Sequence, residues 1–307
     1  GTGLTKGERA RMLEADMGAL DRALAMGART VEPEGYPVTL SSVSFPPPAL
    51  FVLGEWECVF EPAVAIVGTR AATTYGRAAA QKFAEELARA GVTIVSGGAV
   101  GIDSAAHKGA LAVEGKTVAV LGSGIDRSYP LLNRALFTQI AKSGCLVSQF
   151  AAGSAPNRYR FLIRNGLIAS LSCAVLIVEA PIQSGAMVTA RCAAELGRQV
   201  FVVPANIDNE HYRGSHSLIR DGATLVEHPD QILADLGLSR GRPREESKAE
   251  ASGIQRLILD SLSVTPLAAE FIAERTGLEA ADVMTELTML ELEGRILRDA
   301  GGYALRP

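Results

Sequence analysis

Four cysteines, Cys58, Cys145, Cys173 and Cys192, stand far apart in the 307 residues and form no CxxC pair. That spacing excludes a zinc-binding module or a dithiol redox motif, and no metal is expected. Lone thiols, mostly within apolar segments, suit a reducing compartment, so a cytoplasmic location is expected. No apolar run approaches the roughly 20 residues of a membrane span, and no membrane partner is expected. Aromatic residues are only 5% of the chain, with a single Trp. No GxxxxGK[ST] phosphate loop and no GxSxG nucleophile turn occurs. The chain opens Gly1-Thr2-Gly3 without methionine. A truncated or altered start is expected, and no secretory h-region follows.

What is present is a chain 48% hydrophobic and 21% charged with 31 glycines, the composition of a soluble globular protein of two or three units. The net charge of −4 is unevenly spread. Residues 63–230 hold 16 Lys and Arg against 12 Asp and Glu, a surplus of 4, whereas residues 1–62 and 253–307 each hold 5 against 9. A basic middle between acidic flanks points to an anionic partner for the middle.

Residues 1–62 read as one or two helices over 5–28, then a stiff stretch from Tyr36-Pro37 through Pro46-Pro47-Pro48, ending in residues 49–54, that runs extended across a surface. From Ala63 to about 236, short apolar runs alternate with helical segments. The runs are Val64–Val67, Val92–Val95, Thr117–Leu121, Cys145–Ser148, Ala174–Val178 and Val200–Val203. The alternation predicts an α/β domain with a doubly wound parallel sheet. Residues 237–252 are polar and aperiodic, a linker. Residues 253–307 carry three short helices and a hairpin around Ala300-Gly301, the pattern of a small winged-helix domain. The last of the three, the second helix of the helix-turn-helix pair, bears Asp282, Glu286 and Glu291 with no Lys or Arg, which suits protein contact or regulation better than phosphate.

In a parallel sheet the strand C-termini share one edge, where ligands bind. Four Gly/Ser turns fall there: Gly68-Thr69-Arg70, Ser96-Gly97-Gly98, Gly122-Ser123-Gly124 and Ser184-Gly185. The turn in VSGGAVGID, residues 95–103, enters a helix capped by Asp103 or Ser104 and predicts a cradle of backbone N–H groups for an anion. A dinucleotide fits poorly, since GxGxxG and the ribose-binding acid are lacking. Asp103 and His107 read as a cap and a helix-surface residue. The segment 153–170 interleaves Arg158, Arg160 and Arg164 with Tyr159 and Phe161, a pattern that pairs phosphates and stacks bases. A competing reading makes the same groove that of a nucleotide- or nucleotide-sugar-processing enzyme.

Residues 30–230 resemble the DNA-processing protein A family. The matching segments are Tyr36-Pro37, Pro46-Pro47 and Gly54, IVGTR at 66–70 and Thr74-Tyr75-Gly76. After VSGGAVGID come YPLLN at 129–133, FLIRNGLIASLS at 161–172 and SGAMVTA at 184–190. The resemblance implies an extended Rossmann-like domain that binds single-stranded DNA without catalysis or cofactor, and dimerises through that domain. It also implies loading of the RecA recombinase during natural transformation, with single-strand-binding protein as a further partner. By position, Gly68, Thr69 and Arg70 would hold phosphate, and Ser96, Gly97 and Gly98 would offer backbone donors. Arg158 would line the groove and Phe161 would stack a base, while Arg164, Asn165, Ser184 and Gly185 would complete the pocket. Three departures from the family pattern stand out: Gly166 in place of a second arginine, Ala205 after Pro204, and His216-Ser217-Leu218.

Overall fold

The structure, a computed structural model, describes residues 18–238, 253–262, 267–292, 296–299 and 302–305. Most of the N-terminal helical region and the linker lie outside them. The chain divides into two compact units, Gly1–Arg244 and Glu245–Pro307.

The first unit opens with helical residues 18–25 (α1), then β1 (Arg29–Val31), the one-turn α2 (Val38–Ser41) and β2 (Leu50–Gly54). The alternating core follows: β3 (Ala63–Val67), α3 (Thr74–Arg89), β4 (Thr93–Ser96), α4 (Ile102–Ala112) and β5 (Thr117–Val120). Next come α5 (Arg134–Ser143), β6 (Cys145–Ser148), α6 (Arg158–Ser170), β7 (Ala174–Ile177), α7 (Gly185–Glu195) and β8 (Gln199–Val202). The unit closes with α8 (Arg213–Arg220), β9 (Thr224–Leu225) and α9 (Pro229–Asp235).

Nine strands form one sheet in the order β1-β2-β6-β5-β4-β3-β7-β8-β9. From β6 to β9 every pairing is parallel, as the alternation predicts. In β3, Val64 and Ile66 pack with α3, α4 and α9 through Phe83, Leu87, Ile102 and Ile232. Ala65 and Val67 face the opposite layer with Leu167 and Ile168 of α6 and Ala186 of α7. Burial on both faces is why these runs are continuously apolar.

One edge departs from the parallel expectation. β2 pairs antiparallel with β6, Phe51 opposite Ser148, and β1 pairs antiparallel with β2. The extended 49–54 stretch is therefore a strand and not a surface run. Its prolines end at Pro48, leaving every N–H from Leu50 onward able to join a ladder. Leu50 and Val52 are fully buried beneath it.

In the second unit, α10 (Gly253–Ser261), α11 (Ala269–Thr276) and α12 (Ala280–Leu292) precede a hairpin of β10 (Ile296–Asp299) and β11 (Gly302–Leu305). Ile258, Ile272, Val283, Leu287, Ile296 and Tyr303 make its core. Leu267 and Tyr303 exchange backbone hydrogen bonds of 2.9 Å, fastening the hairpin to the approach of α11. This is a winged helix. Along α12 the exposed side chains are neutral or acidic, among them Asp282, Met284, Met289 and Glu291. Among the described residues no helix is long and apolar enough to cross a membrane.

Candidate nucleic-acid interface

The strand order reverses between β3 and β7, and at their C-terminal ends lies an open cleft of about 850 Å³. One wall is the turn Gly68-Thr69-Arg70, and another is Ser184-Gly185 at the start of α7. The third is α6. Asn157 caps that helix, its side-chain oxygen accepting from Arg160 N at 2.8 Å. The helix therefore starts three residues before Phe161. Arg158, Phe161, Leu162 and Asn165 follow at helical spacing, and all four line the cleft. Arg160 turns away, bonding Ala155 O and lying 5.6 Å from the Phe150 ring.

Phe161 organises the arginines. The Arg70 guanidinium lies 4.9 Å from its ring centroid and that of Arg164 lies 5.7 Å away, so both cations sit against the ring's negative face. Phe161 fits because position 122 is glycine, where a Cβ would fall 2.7 Å from the ring's Cε1.

Arg164 is 4% exposed. Its Nη1 donates to Gly97 O and, at 2.6 Å, to Val120 O, while its Nε has no partner among the described residues. Burial brings its pKa down to about 10, partly offset by Asp103, so it stays charged at neutral pH. Asp103 also borders the cleft, and burial raises its carboxyl above the usual range, against the pull of Arg164. Arg70, Arg158, Arg164 and Arg191 line the cleft against Asp103 alone among acids. Four cations, one acid and a half-buried aromatic ring in one cleft are the side-chain types that pair with phosphates and stack on bases.

Of the four predicted turns, the first and last line this cleft, and the middle two lie behind it. Ser96 is fully buried, and its hydroxyl donates to Ile66 O at 2.6 Å. Gly97 accepts from Arg164 through its carbonyl, and Gly98 abuts the Phe137 ring. Two backbone donors at the start of the helix that follows are engaged within the protein. Its Ile102 N donates to Thr69 O at 3.2 Å, and Ala99 N donates to Asp103 at 3.3 Å. Gly101, not Asp103 or Ser104, occupies the cap position of α4. The N-terminus of α7 faces the cleft; there the buried Ser184 hydroxyl has no partner among the described residues, and Asn165 donates to Gly185 O at 3.0 Å. His107 corrects a second expectation. It is fully buried, with Nδ1 2.7 Å from Thr117 Oγ1, and burial lowers its pKa to about 3.

Glu179 is not among the candidate site residues of the sequence. It is fully buried just beyond β7, and its carboxylate accepts from Thr73 N at 3.0 Å, Thr73 Oγ1 at 2.8 Å and Tyr212 OH at 3.1 Å. Thr73 caps α3, so the anion sits at the positive end of that helix. Glu179 O also accepts from Thr69 N at 2.7 Å, fixing the turn that carries Arg70. An acid placed directly after the apolar run Ala174–Val178 was the available signal.

A family model described as "DNA recombination-mediator protein A" matches residues 28–237. The chain belongs to that family. A second model, the "DprA winged helix domain", matches residues 242–302. The chain is 41% identical over 281 residues to Protein Smf of Escherichia coli, covering 88% of this chain and 75% of that one. It is 38% identical over 200 residues to the DNA processing protein DprA of Streptococcus pneumoniae, covering 65% and 71%. The solved structure of that protein superposes with a TM-score of 0.65 at 36% identity, over 67% of this chain and 74% of that one. A Helicobacter pylori structure, described for its single-stranded DNA binding mode, gives 0.63 at 31% identity, over 68% and 95%.

Proposed function

We propose that this chain binds single-stranded DNA in the switch-point cleft, without catalytic turnover, and delivers the strand to a RecA-type recombinase. One observation carries the reading: Arg70 and Arg164 flank Phe161, and Arg158 lines the same cleft, where Asp103 is the sole acid among the described residues. Unpaired bases present the π faces such a ring takes, and duplex DNA hides them. The Helicobacter pylori relative, described for that same binding mode, supports the assignment. His107, which could have served acid–base chemistry, is tied into the interior instead, and Asp103 at the cleft accepts from Ala99 N beside Arg164. Membership of a recombination-mediator family supports action as a cytoplasmic homodimer beside RecA and single-strand-binding protein in natural transformation.

The test is a salt titration of single- and double-stranded DNA binding on the full chain and on residues 1–240. Preference for the single strand, retained by the shorter chain, is expected. Binding that disappears with the winged helix would move the site to the second unit. A second assay follows RecA strand exchange on DNA coated with single-strand-binding protein, where adding this chain is expected to shorten the lag.

A further inference from the structure

Between β5 and α5 the chain forms an anchored loop. Gly124 N donates to Ser154 O at 2.9 Å, and Ser123 Oγ donates to Arg127 O at 3.0 Å. At its far end the buried Asn133 amide donates to Gly98 O at 2.9 Å and to Ser104 Oγ at 2.8 Å. A loop held at both ends nevertheless turns its apolar side chains outward. Leu131 is 77% exposed, Leu132 84% and Tyr129 42%. Exposed Arg127 and Arg134 flank them, and among the described residues neither has an ion-pair partner.

The loop is continuous with the cleft. The Tyr129 ring centroid lies 5.6 Å from that of Phe161, the planes inclined by 36°. Phe161 is half-buried, with Arg70, Arg164 and the Gly122 backbone beside its ring, so Tyr129, 42% exposed, extends the aromatic surface of the cleft outward. An apolar shelf between unpaired arginines matches a polymer that alternates flat apolar rings with phosphates.

We propose that Tyr129, Leu131 and Leu132 form a nucleobase platform, on which a single strand leaving the cleft lays its next bases while Arg127 and Arg134 meet its phosphates. The proposal rests on the cleft being a single-stranded DNA site. It is tested on the full chain by fluorescence anisotropy with oligo-dT and with an abasic oligomer of equal length. The combined variant Tyr129→Ala, Leu131→Ser, Leu132→Ser is expected to weaken oligo-dT binding about tenfold or more. Its abasic affinity should stay at the wild-type value, and Tyr129→Phe alone should bind normally. If Arg70→Ala weakens oligo-dT binding while the loop variant does not, the platform is overturned and the cleft reading stands. Equal losses on both oligomers would overturn it too, assigning the loop to structure. Unchanged DNA binding with a dimer turned monomer on sedimentation would assign the leucines to a second copy, again overturning the platform. Wild-type chain that binds neither oligomer would remove the cleft reading itself.

Discussion

Arg164 donates to the carbonyl of Gly97, 67 positions earlier in the chain, from a guanidinium buried beneath the sheet edge. A Cβ at 97 would fall on that guanidinium and only 2.7 Å from Asp103 Oδ2. The glycine is needed by a neighbouring arginine. That arginine, in turn, places positive charge on the cleft floor.

Gly97→Ala should therefore lower stability by about 3 kcal/mol, since it overpacks the interior and displaces a buried charge. Urea unfolding measures this directly. A midpoint equal to wild type would show that the guanidinium moves aside without penalty.

Arg70 and Arg158 are exposed, so Arg70→Ala and Arg158→Ala should leave unfolding within about 0.5 kcal/mol of wild type. Each should weaken oligo-dT binding by about tenfold. Each lost phosphate contact should also flatten the plot of log affinity against log salt by about 0.7. Wild-type affinity in both variants sinks the cleft assignment.

Gly166 stands where the family pattern has arginine, and a Cβ there meets nothing within 4 Å. Leu162, one turn earlier on α6, lines the cleft. Gly166→Arg should tighten single-strand binding and steepen the salt dependence by about 0.7. Removing a mid-helix glycine should add up to about 1 kcal/mol of stability. Thermal melting and anisotropy test the two effects separately.

His107 gives a pH signature. Burial, reinforced by the charge of Arg164, lowers its folded pKa to about 3, whereas the unfolded chain titrates near the ordinary 6.5. Between those values the unfolded state holds the extra proton. Its contribution is complete above about pH 6.5 and is lost as pH falls toward 3. Asp103, with its pKa raised by burial, acts oppositely above its ordinary 3.8. Subtracting the urea profile of His107→Gln from that of the wild type isolates the histidine, and a flat difference from pH 7 to 4 refutes this account.

Six of the seven parallel strands were legible as short apolar runs, while β9, two residues long and partly exposed, was not, and α6 was legible in FLIRNGLIASLS. Its true start was obscured by charged side chains, although Asn157 ahead of Arg158 carried the capping signal. The VSGGAVGID turn does not disclose in its own spacing that Arg164, distant in sequence, packs against Gly97 and donates to its carbonyl. The departures at Ala205 and His216 look independent in the chain, yet His216 Nε2 lies 3.2 Å from Ala205 O. Tertiary proximity of that kind leaves no trace in spacing.

The nine-stranded sheet ends in strands of three residues, β1, and two residues, β9. Edges this short expose few free backbone donors and acceptors, so a strand from a neighbouring molecule would find almost no ladder to extend. A wide sheet is thereby protected against edge-to-edge aggregation at high protein concentration.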